Sequence, residues 1–132
     1  MGAEPWDCFA KHDADHQRAL DRVREEEFQA GRYRYAEENP SSIDEALEIA
    51  DADGTASILD VSQIAAEPDF GCAAPFSAAE LKQYFGSEHP SRADVLRTDD
   101  YWEDIERGQA RYAVVYASGE PSEIYFAGYS FD

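Results

Sequence analysis

The sequence predicts an α+β fold, in which helices pack on one face of an antiparallel sheet that contains a C-terminal β-hairpin. Segments with helical apolar spacing follow short polar capping residues, and alternating β-rich segments close the chain. Of the 132 residues, 43% are hydrophobic and 13% are aromatic, which supplies apolar material for a core without disulfides. We expect one domain that spans residues 1–132.

A first helix is predicted from a cap at Asp13 or Asp15 to about residue 30. Leu20 and Val23 lie within one apolar arc of that helix, and charged residues occupy the opposite side. Gly31 is a natural C-terminal stop. The dozen residues before this helix predict an irregular or short extended segment.

Three serines, each followed three positions later by Glu or Asp, mark further helix starts. Ser42 begins a helix that is predicted to end near residue 52, Ser77 begins one that ends near residue 85, and Ser91 precedes one or two short helices. Residues 55–64 predict a strand because they are rich in aliphatic and β-branched side chains. Residues 67–75 predict a loop because they contain two prolines and a glycine.

The clearest strand signal is C-terminal. Tyr112 to Tyr116 alternate between two faces, and residues 123–129 are again rich in β-forming side chains. Turn-forming residues at 118–121 separate the two segments, which therefore predict an antiparallel hairpin. Residues 32–35 also alternate, and they are compatible with either a short strand or a loop.

The chain is strongly acidic, because 29 Asp and Glu residues oppose 11 Lys and Arg residues and give a formal net charge of −18. Three interpretations are open from the sequence: attraction of a basic partner, adaptation to high salt, or plain solubility. The same charge repels phosphate, so direct binding to DNA, RNA or an anionic membrane is not expected. If the charge has a binding role, its partner is a basic protein.

The N-terminal residues show no basic stretch followed by an apolar one, so no signal peptide is expected. No segment approaches the length of apolar sequence that a membrane-spanning helix needs. The two cysteines, Cys8 and Cys72, are then expected to remain reduced in a cytoplasmic protein.

The residues best suited to metal chemistry are His12 and His16, which are four positions apart and follow Cys8. On one helix face such side chains can bind zinc, and a closed zinc site needs about four ligands. Alternatively, His16 packs on the apolar arc, and Cys8 and His12 precede the helix. No serine-nucleophile, phosphate-loop or dinucleotide motif occurs, so no cofactor is predicted. A small metal-dependent or carboxylate-using enzyme is the alternative function.

A second candidate is the segment 99–106, in which acidic side chains are interleaved with aromatic ones. Against a basic partner, its acids would steer the encounter and its aromatic rings would anchor the complex. The alternative is an ordinary amphipathic helix with Trp102 and Ile105 buried and the acids in solvent. The candidate partner-binding residues are Asp99, Asp100, Tyr101, Trp102, Glu103 and Asp104.

Five sequence blocks occur together in this chain: residues 30–33 (Ala-Gly-Arg-Tyr), 53–55 (Asp-Gly-Thr), 57–60 (Ser-Ile-Leu-Asp), 103–108 (Glu-Asp-Ile-Glu-Arg-Gly) and 126–132 (Phe-Ala-Gly-Tyr-Ser-Phe-Asp). Together they resemble a family of small acidic bacterial proteins of unknown function. The resemblance covers nearly the whole chain, implies a single bacterial cytoplasmic domain, and carries over no catalytic residues. In size and charge the chain is also similar to bacterial immunity proteins. We therefore predict a protein-binding module, or an immunity-type inhibitor, that presents an acidic face to a basic partner.

Overall fold

The computed structural model describes residues 3–132, and these residues form five strands in one sheet. The strands are β1 (Pro5–Lys11), β2 (Gln63–Ile64), β3 (Cys72–Pro75), β4 (Ala110–Ala117) and β5 (Glu120–Tyr129). Their order across the sheet is β1-β5-β4-β3-β2, so the predicted irregular or extended N-terminal segment is a seven-residue edge strand. Residues 1 and 2 of the predicted domain lie outside the described residues.

Four α-helices occur in the described part of the chain: α1 (His16–Ala30), α2 (Ile43–Ala50), α3 (Ala78–Phe85) and α4 (Arg92–Leu96). Their N-caps are Asp15, Ser42, Ser77 and Ser91, which confirms the predicted helix starts. In each helix the cap side chain accepts a backbone hydrogen bond from the first turn. Gly31 ends α1 in the left-handed conformation, and its N–H bonds to carbonyls of the last turn.

The predicted C-terminal hairpin is confirmed, and it forms the centre of the sheet. β4 and β5 pair antiparallel along their length, with one irregularity between Val115 and Tyr116. Ser118 and Gly119 make a two-residue turn with positive φ at both positions, 53° and 81°. This turn geometry matches the twist of two paired strands, so the local sequence favours the hairpin.

The sheet is mixed, which corrects the prediction of an antiparallel sheet. β1 pairs antiparallel with β5, and β5 with β4, but β3 pairs parallel with both β4 and β2. The predicted loop at 67–75 is wrong at its end, because β3 begins at Cys72. Its fully buried Ala73 and Ala74 carry little β propensity that could reveal a strand. The chain between β3 and β4 runs through α3 and α4 before it returns, a crossover that makes the pair parallel.

Helices cover both faces of the sheet, which corrects the prediction that they pack on one face. The face under α1 and α2, here the α1 face, has a largely aliphatic core: Ala19, Leu20, Val23, Ile58, Leu59, Val61 and Ile124, with Tyr112 and Phe126. The opposite face, here the aromatic face, lies under α3, α4 and the 3₁₀ helix Asp100–Asp104. Its core contains Phe76, Phe85, Val95, Tyr101 and Tyr125, with Phe9, Tyr84, Trp102 and Tyr129 packed around them.

The apolar run in β5 explains why both faces are covered. Ile124 and Phe126 lie on the α1 face, and Tyr125 and Ala127 lie on the aromatic face. All four side chains are almost fully buried. A central strand that is apolar on both sides needs a layer of structure on each side to remove it from water.

The predicted strand at 55–64 is wrong, because only its last two residues join the sheet as β2. Asp60 Oδ1 accepts hydrogen bonds from the Thr55 N–H and the Thr55 hydroxyl, both at 2.7 Å. Ser57 caps a 3₁₀ helix at Ile58–Asp60. These local side-chain bonds compete with a strand ladder and bend the chain. The open choice at 32–35 is a loop, in which Tyr35 has a φ of 70°.

Candidate functional site

A cleft of about 540 Å³ lies where β1 begins and β5 ends, on the side of the aromatic face. The 3₁₀ helix Asp100–Asp104 forms its other wall. The residues that line it are Pro5, Trp6, Asp7, Asp99, Asp100, Trp102, Glu103 and Tyr129. The site therefore combines residues from the two ends of the chain with the acidic segment that the sequence singled out.

Strand pairing brings the terminal residues of the cleft together. Pro5 lies opposite Tyr129, and Trp6 lies opposite Gly128 in the antiparallel ladder of β1 and β5. A Cβ atom at Gly128 would come within 2.5 Å of the Trp6 ring, so glycine is what allows the indole to lie over β5. The pairing leaves the exposed Asp7 at the rim of the cleft.

The acidic wall is held by the buried parts of the same segment. The Trp102 N–H donates to the Asp99 carbonyl, and the Ile105 N–H donates to the Trp102 carbonyl. Tyr101 and Ile105 are buried in the aromatic face, while Asp99, Asp100 and Glu103 remain exposed. The segment is thus anchored by alternate apolar side chains and displays the acids between them.

Four carboxylates face this cleft without a compensating cation. Asp7, Asp99, Asp100 and Glu103 are all exposed, and no Lys, Arg or His within residues 3–132 forms a salt bridge with them. Some acids elsewhere in the fold are paired, as Glu123 is with Arg92 at 2.9 Å. The cleft consequently concentrates negative charge that a cationic group could neutralise.

Aromatic rings provide the apolar part of the cleft. Trp102 and Tyr129 meet edge to face, with ring centroids 5.5 Å apart, and Trp102 also packs against Tyr101 at 5.2 Å. Trp102 is half-buried, so part of its indole is supported by the core and part is available in the cleft. A guanidinium or ammonium group is attracted both to such ring faces and to neighbouring carboxylates.

A chain of two tyrosine hydroxyls orients Asp7 from below. The Tyr125 hydroxyl donates to Asp7 Oδ2 at 2.8 Å, and the Tyr101 hydroxyl lies 2.6 Å from the Tyr125 hydroxyl, to which it donates. Burial raises the pKa of both phenols, so each keeps its proton and its donor role at neutral pH. This connection couples the position of a cleft carboxylate to the centre of the sheet.

The structure separates the six predicted partner-binding residues into three groups. Asp99, Asp100, Trp102 and Glu103 line the cleft, Tyr101 is buried beneath it, and Asp104 lies outside its lining. Asp104 instead accepts a hydrogen bond from Tyr84, whose pKa is raised to about 12 by burial and by that carboxylate.

Sequence reasoning missed Asp7 as a cleft residue, and it raised Tyr129 only as a ring that shares a strand face with Tyr125 and could be either an anchor or part of the core. Asp7 and Tyr129 are 122 positions apart in the chain, and only the pairing of β1 with β5 brings them to one site. The available signal was weak: Tyr125 and Tyr129 share one face of a predicted strand, but the partner strand was expected to be irregular or short. Nothing in the local sequence around Asp7 distinguishes it from the other carboxylates.

The candidate metal residues do not converge on a site. The ring centroids of His12 and His16 are 6.5 Å apart, and His16 Nδ1 lies 3.0 Å from the Tyr112 hydroxyl. Burial lowers the pKa of His16. Cys8 is a free thiol in β1, so helical spacing does not relate it to the histidines. Within residues 3–132, no group of three or more His, Cys, Asp or Glu side chains is placed to hold a metal ion.

Comparisons with protein-family models, curated proteins and solved structures find no match to this chain. The resemblance to small acidic bacterial proteins therefore stays a prediction from the sequence blocks. In the part of the chain that the structure describes, no helix has the length and apolar character needed to cross a bilayer.

Proposed function

We propose that this protein is a protein-binding module of the immunity-inhibitor type, and that the cleft is where it receives a basic partner protein. The observation that carries the proposal is the convergence of four unpaired carboxylates with Trp102 and Tyr129 in one cavity. Binding there would cover the cationic group of the partner and so occlude the surface to which it belongs.

An arginine side chain is the group that this cleft suits best. The edge of its planar guanidinium can donate two hydrogen bonds to a carboxylate while its face stacks on an aromatic ring, whereas the lysine ammonium is a compact, strongly hydrated charge. A cation over an aromatic ring contributes about 0.5–2 kcal/mol, depending on how far it is removed from water. Bidentate pairing with Asp99, Asp100 or Glu103 would add specificity.

The net charge of −18 supports the same proposal over longer distances. A strongly acidic surface accelerates the approach of a basic protein, and this acceleration falls as salt screens the charges. It also opposes binding to nucleic acid and to anionic lipid. We further infer a cytoplasmic location, where the free thiols of Cys8 and Cys72 would remain reduced.

A charge-reversal experiment with a matched control tests the proposal. The cleft variant is Asp99→Lys, Asp100→Lys and Glu103→Lys, and the control reverses the exposed Glu37, Glu38 and Glu48 in the same way. Both variants have the same net charge, so only the place of the reversal differs. Random peptides on phage are first selected on the wild-type protein, and the selected peptides are then titrated against all three proteins.

We expect the selected peptides to be rich in arginine and to lose about 30-fold or more in affinity for the cleft variant. The control variant should lose only the part that comes from long-range charge, a few-fold at physiological salt. Selection of peptides without basic residues, or equal losses for the two variants, would show that the cleft is not the binding site.

A further inference from the structure

The outer edge of β1 is an unpaired strand edge. In an antiparallel ladder, residues that bond to the partner strand alternate with residues that do not. The Ser130 N–H donates to the Glu4 carbonyl, and the His12 N–H donates to the Ser122 carbonyl, so the even-numbered residues of β1 bond to β5. The odd-numbered residues consequently direct their backbone groups away from the sheet.

Three residues of β1 carry both an outward N–H and an outward carbonyl: Asp7, Phe9 and Lys11. No group within residues 3–132 forms a hydrogen bond with the outward N–H and carbonyl groups of these three residues, and β1 is the last strand on its side of the sheet. Asp7 and Lys11 are exposed, and Phe9 is half-buried. This edge therefore offers a regular row of donors and acceptors of the kind that an added strand uses.

The opposite edge of the sheet is closed, which makes the open edge distinctive. β2 has only two residues, and the Gln17 side chain of α1 covers it. Gln17 Oε1 accepts from the Ile64 N–H at 2.8 Å, and Gln17 Nε2 donates to the Ser62 carbonyl at 3.0 Å. The Gln17 amide thus occupies the Ile64 N–H and the Ser62 carbonyl, which a further strand could otherwise use for hydrogen bonds.

The open edge and the acidic cleft meet at Asp7. Its backbone belongs to the edge, and its carboxylate lines the cleft. Residues directly opposite each other in paired strands place their side chains on the same face. A residue paired with Asp7 would therefore direct its side chain toward Asp99, Asp100 and Glu103, and a residue two positions away would lie beside Phe9.

We propose that the outer edge of β1 accepts an extended segment of the basic partner as a sixth strand, with an Arg or Lys side chain of that segment in the cleft. The inference rests on the proposed function, and it adds the backbone conformation and the residue pattern of the ligand. The pattern is one cationic residue, opposite Asp7, and an apolar residue two positions away, beside Phe9.

Charge decides between a partner segment and a second copy of this chain as the occupant. Two copies paired antiparallel through β1 could place Lys11 of each copy opposite Asp7 of the other, but they would bring together two chains of net charge −18, which repel each other. A basic segment instead neutralises the cleft while its backbone completes the ladder. The exposed Lys11 at the far end of β1 also favours an acidic or neutral residue opposite it.

A synthetic peptide, acetyl-Thr-Val-Thr-Arg-Thr-Val-Thr-amide, is a suitable probe. Its valines lie two residues from the arginine on both sides, so it presents the same pattern whether it binds parallel or antiparallel to β1. Binding to the ¹⁵N-labelled protein is followed by NMR. We expect the amides of Asp7, Phe9 and Lys11 to shift strongly and to gain protection from hydrogen exchange, and a peptide with Glu in place of Arg should not bind.

Backbone N-methylation of the peptide tests for a strand ladder. Methylation at alternate positions removes donors that face β1, and methylation at the positions between them removes donors that face solvent. One set should lower the affinity by about tenfold or more, and the other should have little effect. Equal effects of both sets would contradict an added strand even if the arginine occupies the cleft.

A protein variant provides an independent test. Lys11→Pro removes one outward N–H without breaking the ladder with β5, whereas Lys11→Ala keeps that N–H. We expect Lys11→Pro to bind the peptide about three- to tenfold more weakly than Lys11→Ala. If Lys11→Pro does not fold, the methylated peptides still decide the matter with the wild-type protein.

The outcomes separate the two proposals. Arginine-dependent binding that the cleft variant abolishes, without protection of the β1 amides, would retain the proposed function and overturn the added strand. Protection of the β1 amides in the absence of peptide, together with a dimer in sedimentation, would identify a second copy as the occupant and overturn the inference. Failure of every arginine peptide to bind would contradict both.

Discussion

The two faces of the sheet bury apolar side chains of different chemistry. On the α1 face, α1 lies over aliphatic side chains such as Leu20 and Val23, and the core is closed. On the aromatic face, tyrosines hydrogen-bond to one another and to acids, and Trp102 and Tyr129 pack at the surface in the cleft. Aliphatic side chains contribute mainly by being buried away from water. Tyr and Trp can bury their rings and still offer a polar group or a ring face to a ligand at the boundary between core and solvent.

This difference predicts that the α1 face contributes to stability alone, whereas the aromatic face contributes to both stability and binding. On the α1 face, the Tyr112 hydroxyl contacts the partly buried His16, and the Thr55 hydroxyl bonds to the buried Asp60, so neither contact reaches the cleft. The aromatic face links Tyr101 and Tyr125 to Asp7, so a core hydrogen bond ends in the candidate site. Changes on the α1 face should therefore alter unfolding alone, and changes on the aromatic face should alter unfolding and binding together.

The largest expected effect is on the α1 face. Leu20→Ala should lower the free energy of unfolding by about 3 kcal/mol, because Leu20 is completely buried and its truncation leaves a cavity. Denaturant unfolding measures this loss. Peptide affinity, measured at a temperature where the variant is folded, should stay within twofold of the wild-type value. An affinity loss as large as that of the cleft variant would show that the two faces are not independent.

A pair of tyrosine substitutions compares the faces directly. Tyr125→Phe removes the hydroxyl that joins Tyr101 to Asp7 and should cost about 1–2 kcal/mol of unfolding free energy, since it leaves the buried Tyr101 hydroxyl without a partner. Tyr112→Phe removes the hydroxyl next to His16 and should cost about 0.5–1 kcal/mol.

Binding distinguishes these two variants more sharply than stability does. Tyr125→Phe should weaken the arginine peptide about two- to fivefold, because Asp7 is no longer oriented, and Tyr112→Phe should leave its affinity unchanged. Equal affinities of both variants, measured by calorimetry, would mean that the tyrosine chain has no role in the cleft.

The smallest expected effect is a pH dependence on the α1 side, where Asp60 is buried beside Thr55. Burial raises the pKa of Asp60, and its Oδ2 has no hydrogen-bond partner within residues 3–132. A carboxyl with a raised pKa in the folded state holds its proton more tightly there than in the unfolded chain. Its contribution is therefore favourable below the unfolded pKa and declines as pH rises through the folded pKa.

Asp60→Asn removes this titration and keeps an oxygen that can accept from Thr55. Relative to this variant, the wild-type protein should lose unfolding free energy as pH rises above about 4. Asp13→Asn is a control with the opposite sign, because the hydrogen bond from Arg18 lowers the pKa of Asp13 to about 2. Relative to that control, the wild-type protein should lose stability as pH falls from about 4 toward 2, and parallel curves for the two pairs would contradict the assignment.

Local signals predicted the elements whose geometry depends on neighbouring residues. The caps at Asp15, Ser77 and Ser91 and the turn at Ser118 and Gly119 lie where they were expected, because each bonds within a few positions of itself. The strand at 55–64 failed for a related reason. Its aliphatic side chains favour a strand, but the side chains of Thr55, Ser57 and Asp60 form hydrogen bonds with one another, and these bonds bend the backbone away from a strand.

The sequence predicted one of the two walls of the candidate site. The composition of the acidic segment identifies it as a candidate, and four of the six residues selected from it line the cleft. Its opposite wall could not be predicted, because Asp7 and Tyr129 meet only through the pairing of the first and last strands. The burial of Tyr101 could not be predicted either, since an isolated pattern does not show which aromatic ring faces the sheet.

The amino-acid sequence by itself determined the negative charge, the helix starts, the hairpin and the α+β class, because these follow from composition and from bonds between near neighbours. Tertiary structure decided the parallel placement of β3, the helices on both faces, the open edge of β1 and the assembly of the cleft. Each of these depends on which distant segments pair, and that choice is made by burying two apolar surfaces at once rather than by any local preference.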